Sequence, residues 1–211
     1  GLGFFPSLLC AMVACGALGV AIERVAYKPL RNATRIAVLI TAIGVSLLLE
    51  YLMVYFVGAQ SRSYPALPDY MTHSFHVGGV VIAALQLWIV AISVLLMIAL
   101  QFVVRRTRLG KAMRAVSQDS DAARLMGISV DNTISFTFAV GSALAGAAGV
   151  LIGVYYNTVN PLMGILPGLK AFVAAVLGGI GLIPGALLGG YVIGATETLV
   201  SALGLSMARD A

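Results

Sequence analysis

Eight carboxylates, two histidines and two cysteines are the side chains of this 211-residue chain most suited to metal binding, and the first two types to acid–base work near neutral pH. Two of the carboxylates, Glu50 and Glu197, lie inside long apolar runs. A charge at the centre of a bilayer costs about 3 kcal/mol or more, so an acid there faces protein or water rather than lipid. Its simplest role is a structural hydrogen bond to a neighbouring helix. A sharper role is a place on a translocation path, to which Asn157 is also a candidate. His73 and His76 are close in sequence, but no third ligand accompanies them. Cys10 and Cys15 have no histidine or carboxylate nearby and read as packing residues, so no metal site is expected. Gly110-Lys111 is followed by Ala112, with no glycine five residues earlier, which excludes a phosphate loop. Gly179-Ile180-Gly181 meets Pro184 where a dinucleotide fingerprint needs glycine. H-E-x-x-H and G-x-S-x-G do not occur. No cofactor is implied, and an enzyme would need a clustered catalytic set that the sequence lacks.

The elements that hold these residues are set by composition. The chain is 60% hydrophobic and 10% charged, against roughly 25% charged in soluble domains. Lipid is the expected solvent. The expected class is all-α, a polytopic bundle of membrane-spanning helices. Apolar segments run over about Leu2–Ile22, Ile36–Val57, Val80–Val104, Asn132–Tyr156, Leu169–Ile183 and Pro184–Leu205, most of them long enough for a bilayer of roughly 30 Å. Leu169–Ile183 is short and rich in glycine, so a half-helix or re-entrant segment is expected. Residues 1–211 read as one permease domain, a piece of a larger protein with further helices on either side.

The net charge of +5 is confined to a few loops, which fits orientation by the positive-inside rule rather than nucleic-acid binding. Glu23–Arg35 and Arg105–Asp131 are therefore expected to be cytoplasmic, and Gly58–Val77 external. Asn32-Ala33-Thr34 has the form of a glycosylation sequon, but the expected inside location makes it a chance match. Lys170 stands at an outer end, against the charge rule; a single lysine can snorkel.

Within Arg105–Asp131, Ser120 is expected to cap a short helix over Asp121–Met126 that ends at Gly127. Its apolar residues would offer a knob to a partner's cleft. Elsewhere, glycines four apart let helix backbones approach in lipid: Gly149 and Gly153, Gly185 and Gly189, Gly190 and Gly194. Ser142, Gly146, Gly149, Gly153 and Asn157 are expected to share one face of a helix, as are Gly190, Gly194, Glu197 and Ser201. Both faces should point into the bundle, for packing or in part to line a path.

Asp121-Ala122-Ala123, with Gly127 four residues beyond, is similar to the E-A-A-x-x-x-G coupling motif of bacterial ABC importers, with Asp in place of Glu. IERVAYKPLR from Ile22, RRTRLGKAMRAVSQD from Arg105, VNPLMGILPGLKAFVAAVLGGIG from Val159 and IPGALLGG from Ile183 resemble the LivH type of inner-membrane permease of branched-chain amino acid ABC transporters. The resemblance covers essentially the whole chain in order. It implies a bacterial inner-membrane, multi-pass permease for leucine, isoleucine and valine or related small amino acids and amides. It also implies a sister permease subunit, cytoplasmic ATPase subunits and a periplasmic amino-acid-binding protein. Coupling to the ATPase would fall on Asp121, Ala122, Ala123 and Gly127, with Arg124 in the same helix. The alternative from another class is an ion-coupled secondary transporter, in which broken helices and midplane acids would do the work.

Overall fold

The structure is a computed structural model and describes residues 3–30, 33–64, 74–77 and 80–202. Arg31, Asn32, Asp69 and His73 lie outside the described residues, as does the side chain of His76. The chain divides into two compact units, Gly1–Pro161 and Leu162–Ala211.

The first unit is built on two helices that lie antiparallel, α1 (Phe4–Ile22) and α6 (Val130–Tyr156). Pro6 falls in the first turn of α1, where a missing N–H costs nothing. Glycine allows the two backbones to meet. A Cβ on Gly16 would lie 3.3 Å from the Ala139 carbonyl oxygen, and one on Gly146 would lie 2.9 Å from the Ala11 carbonyl oxygen and from Cys15. A Cβ on Gly19 would fall on the Ser142 side chain. Phe4 and Leu8 then join Ala147, Leu151 and Val154 in one apolar core, completed by Ile92.

Ile92 comes from α3 (Ala84–Arg106). The membrane segment expected from Val80 begins later, because Val80–Ala83, which opens with three β-branched residues, is a strand (β3) paired antiparallel with β2, Ser74–Val77. In α2 (Arg35–Val57) none of the residues from Ile36 to Val57 is buried among the described residues. A second two-residue pairing, β1 (Arg62–Ser63) with β4 (Thr158–Val159), follows the ends of α2 and α6. There Tyr64 lays its ring 3.1 Å from where a Gly153 Cβ would stand; burial pushes its phenol above the usual value near 10, so it stays neutral.

Two differences from the sequence expectation lie at the other end. The segment from Glu23 is no loop. It continues α1 as a π-helical turn, Glu23–Tyr27, and a 3-10 turn, Lys28–Leu30. Pro29 accounts for the change of pitch: it has no N–H to bond Val25, and its ring would strike that carbonyl in an α-helix. The stretch after Arg106 also holds a helix that the sequence reading left unassigned, α4 (Arg108–Gln118), before the short α5 (Ser120–Leu125). Its signal was the apolar spacing of Leu109, Ala112, Met113 and Val116.

The second unit is a helical hairpin of α7 (Ile165–Leu177) and α8 (Ile183–Ala202). The short segment starts at Ile165 rather than Leu169. At 13 residues it is about 20 Å long, less than a bilayer core. The turn needs glycine at Gly179 and Gly181, whose φ are +90° and +96°. A Cβ on Gly178 would collide with Gly185, and one on Gly189 with the Ala174 carbonyl.

Gly149, Gly190 and Gly194 have nothing within 4 Å of a Cβ position among the described residues. The buried stripe of α6 runs through Gly146, Ala147, Leu151, Gly153 and Val154, leaving Gly149 on its flank. In α8 the inward stripe is Gly185, Gly189, Ile193 and Glu197, and Gly190, Gly194 and Ser201 lie beside it. Gly146→Leu and Gly185→Leu should each destabilise the full-length protein by about 2 kcal/mol or more through overpacking, while Gly149→Leu costs the fold little. Thermal unfolding midpoints in one detergent would check this; equal losses at Gly146 and Gly149 would contradict it.

Candidate functional site

Among the described residues five spans, Phe4–Leu30, Ile36–Val57, Ala84–Arg106, Val130–Tyr156 and Ile183–Ala202, are long and apolar enough to cross a membrane. Around the first unit, charge is segregated. Arg24, Lys28, Arg105, Arg106, Arg108, Lys111, Arg114 and Arg124 collect at the end where α1 finishes and α6 begins, whereas Arg62 is at the other end.

The α3–α4 corner at the basic end is tight. Thr107 accepts the Gly110 N–H at its hydroxyl (3.0 Å), capping α4. A side chain on Gly110 would strike the Val103 and Val104 carbonyls. α5 is capped by Asp119 and not by Ser120: Asp119 is extended, and its Oδ1 accepts from the Asp121 and Ala122 N–H groups at 2.9 and 3.0 Å. A carboxylate also complements the positive end of the helix dipole, which a hydroxyl cannot do as well. The helix stops at Gly127, φ +80°. Its turn is closed by Gly127 N–H to the Arg124 carbonyl and Ile128 N–H to the Ala123 carbonyl, both 3.0 Å.

This geometry sorts the residues of α5. Ala123 is 4% exposed and packs back on its own chain. Asp121, Ala122, Arg124 and Gly127 are exposed. Leu125 and Met126 are 89% and 82% exposed, so the apolar knob is this pair, which the sequence reading counted as helix content but left out of the site. Two large apolar residues directly before a left-handed glycine were the available signal.

Glu23 is fully buried. Its Oε2 accepts the Ser135 hydroxyl of α6 at 2.6 Å. Lys28 meets Asp131 at 3.3 Å, and the Tyr27 and Phe138 rings are 5.1 Å apart. In sequence the basic neighbours Arg24 and Lys28 give Glu23 the look of a charged loop residue.

Of the other three polar candidates, Glu50 and Asn157 belong to the first unit and Glu197 to the second. Glu50 is half-buried and accepts from the Ser46 hydroxyl one turn earlier on its own helix (3.3 Å). Asn157 ends α6 in the left-handed region, φ 53°, and its carbonyl accepts the Tyr64 N–H at 3.2 Å. Glu197 of α8 pairs with Lys170 of α7 at 2.9 Å. The expected neutral hydrogen bond is an ion pair, and the lysine at odds with the charge rule is its partner. Breaking the pair removes the countercharge of an ionisable group in an apolar hairpin, which costs more than breaking a pair in water. Lys170→Glu should lower the unfolding midpoint of the full-length protein, and adding Glu197→Lys should restore most of the loss. No recovery in the double variant would show that the pair does not act as a unit.

The family model described as branched-chain amino acid transport system / permease component matches residues 1–209. The high-affinity branched-chain amino acid transport system permease protein LivH of Salmonella typhimurium is 42% identical over 194 residues, 91% of this chain and 63% of its own length. LivH of Escherichia coli K12 is 43% identical over 195 residues, with the same coverage. The corresponding protein BraD of Pseudomonas aeruginosa is 41% identical over 204 residues, 93% of this chain and 66% of its own length. The chain thus spans a little under two thirds of the length of these relatives. No solved structure matches it significantly. Family, membrane-length helices and the segregated charge agree, and the chain belongs to the permease components of branched-chain amino acid transport systems.

Proposed function

We propose that the chain forms the membrane path of an ATP-driven importer of branched-chain amino acids in a bacterial inner membrane, and that α5 receives the force. The observation that carries this is the exposed Leu125–Met126 pair, held on a capped helix and joined to the spanning helix α6 by a four-residue turn. In this reading hydrolysis belongs to a separate ATPase and acts across a protein interface. Two large apolar side chains on a rigid turn suit the cleft of such a subunit. Asp121, Ala122, Arg124 and Gly127 frame the contact, and buried Ala123 seats the helix. A sister permease subunit and an external amino-acid-binding protein complete the reading; the names of the LivH and BraD relatives support the cargo.

In this reading the basic end faces the cytoplasm and the β1–β4 end faces out. With Cys10 and Cys15 replaced, a cysteine at Ser63 should react with an impermeant thiol reagent added outside, and one at Ser117 should not. The opposite pattern would reverse the orientation. Leu125→Asp combined with Met126→Asp should weaken ATPase co-purification, and substrate-stimulated hydrolysis, by about tenfold or more in the reconstituted full-length complex. Unchanged values for both would remove α5 as the coupling element.

A further inference from the structure

Coupling through α5 leaves unexplained why a membrane protein buries a carboxyl at the end of α1. Glu23 is the fully buried carboxyl among the described residues, and it sits at the start of a π-helical turn. Such turns are rare and concentrate at functional sites. Apolar contact alone would hold the helices as well. A carboxyl–hydroxyl bond adds direction: sliding α1 along α6 by one residue would strip the Glu23–Ser135 bond inside an apolar surrounding. Asp131 and Lys28 repeat the constraint one turn nearer α5. The turn at Gly127 is hydrogen-bonded back to α5 as far as Ile128, and the next residue, Ser129, already accepts the Thr133 N–H at the start of α6. Displacement of α5 is therefore delivered to the part of α6 that holds the end of α1.

We propose that Glu23–Ser135, backed by Lys28–Asp131, is a register clamp that makes α1 move with α6 when the coupling helix is displaced. Glu23 is a positioning residue in this scheme, which rests on the coupling role of α5. The test uses the full-length complex with its ATPase in vesicles, and reads substrate moved per ATP hydrolysed, together with ATPase co-purification and the unfolding midpoint. Glu23→Leu keeps the bulk and removes the bond; Ser135→Ala removes the hydroxyl alone; Glu23→Gln keeps an acceptor. The clamp predicts that Glu23→Leu and Ser135→Ala retain the ATPase and continue to hydrolyse ATP, but move about fivefold less substrate per ATP or worse, the scale of a typical coupling energy. Glu23→Gln should stay near the parental ratio.

A parental ratio in both Glu23→Leu and Ser135→Ala would overturn the clamp, even with a lowered midpoint, since that is what a purely structural bond would give. If Glu23→Leu fails to assemble, Ser135→Ala decides alone. The Leu125→Asp, Met126→Asp protein separates the two ideas. If it keeps both the ATPase and its substrate-stimulated hydrolysis, the coupling reading of α5 is wrong. If it loses them while the clamp variants keep the parental ratio, coupling stands and the clamp falls.

Discussion

Lipid gives helices no hydrophobic reason to associate, because the tails around them are as apolar as their side chains. Contact has to come from packing close enough to outweigh contact with lipid. In the first unit that packing is the antiparallel approach of α1 and α6 through Gly16, Gly19 and Gly146. The remaining features of the unit follow from it. Phe4 and Leu8 reach Ala147, Leu151 and Val154 because the backbones are close, and Ile92 of α3 closes the same core. The same register brings Glu23 opposite Ser135 and Lys28 opposite Asp131. At a wider separation neither polar pair would meet, and Glu23 would be a buried acid without the Ser135 hydroxyl.

The basic end depends on different physics. Around Thr107, Asp119 and Gly127 the chain reverses within a few residues, so helix ends must be satisfied locally. A hydroxyl caps α4, a carboxylate caps α5, and a left-handed glycine closes α5. Each device satisfies N–H or C=O groups that would otherwise be bare. Together they present α5 as a short, stiff element despite its six residues, too few to be stable alone. That stiffness is why exposure of Leu125 and Met126 carries meaning: the pair is displayed on a fixed turn.

Much of this was legible in the sequence. Spans are written in the length of apolar runs, and Gly127 as the stop of α5 follows from the need for positive φ. The errors share a cause. Charge points to solvent, yet Glu23 is buried in a helical turn, and Pro29, six residues on, encodes a change of helical pitch. Glycine spacing points to packing, yet among the described residues nothing lies within 4 Å of a Cβ at Gly149 or Gly190. A period of four says which residues share a face but not which face turns inward; that depends on the large residues between, such as Leu151 and Val154. Ser120 and Asp119 are both good caps, and the choice lies in backbone angles that single residues do not specify.

The hairpin of α7 and α8 shows why an apparent exception to the charge rule need not be one. Lys170 alone in an apolar segment would carry the full desolvation cost, as would Glu197. Gly178 against Gly185 and Gly189 against Ala174 set an antiparallel register that puts Lys170 close to the level of Ile193, one turn from Glu197. Helical side chains lean toward their own N-terminus. In an antiparallel pair that tilts lysine and glutamate toward each other across the one-turn offset. The hairpin therefore carries one cationic and one anionic side chain and no net charge, and the positive-inside rule, which counts cations in loops, has nothing to act on. A lysine in a spanning segment says little about orientation until its countercharge has been located, and here the glycines that close the hairpin are what locate it.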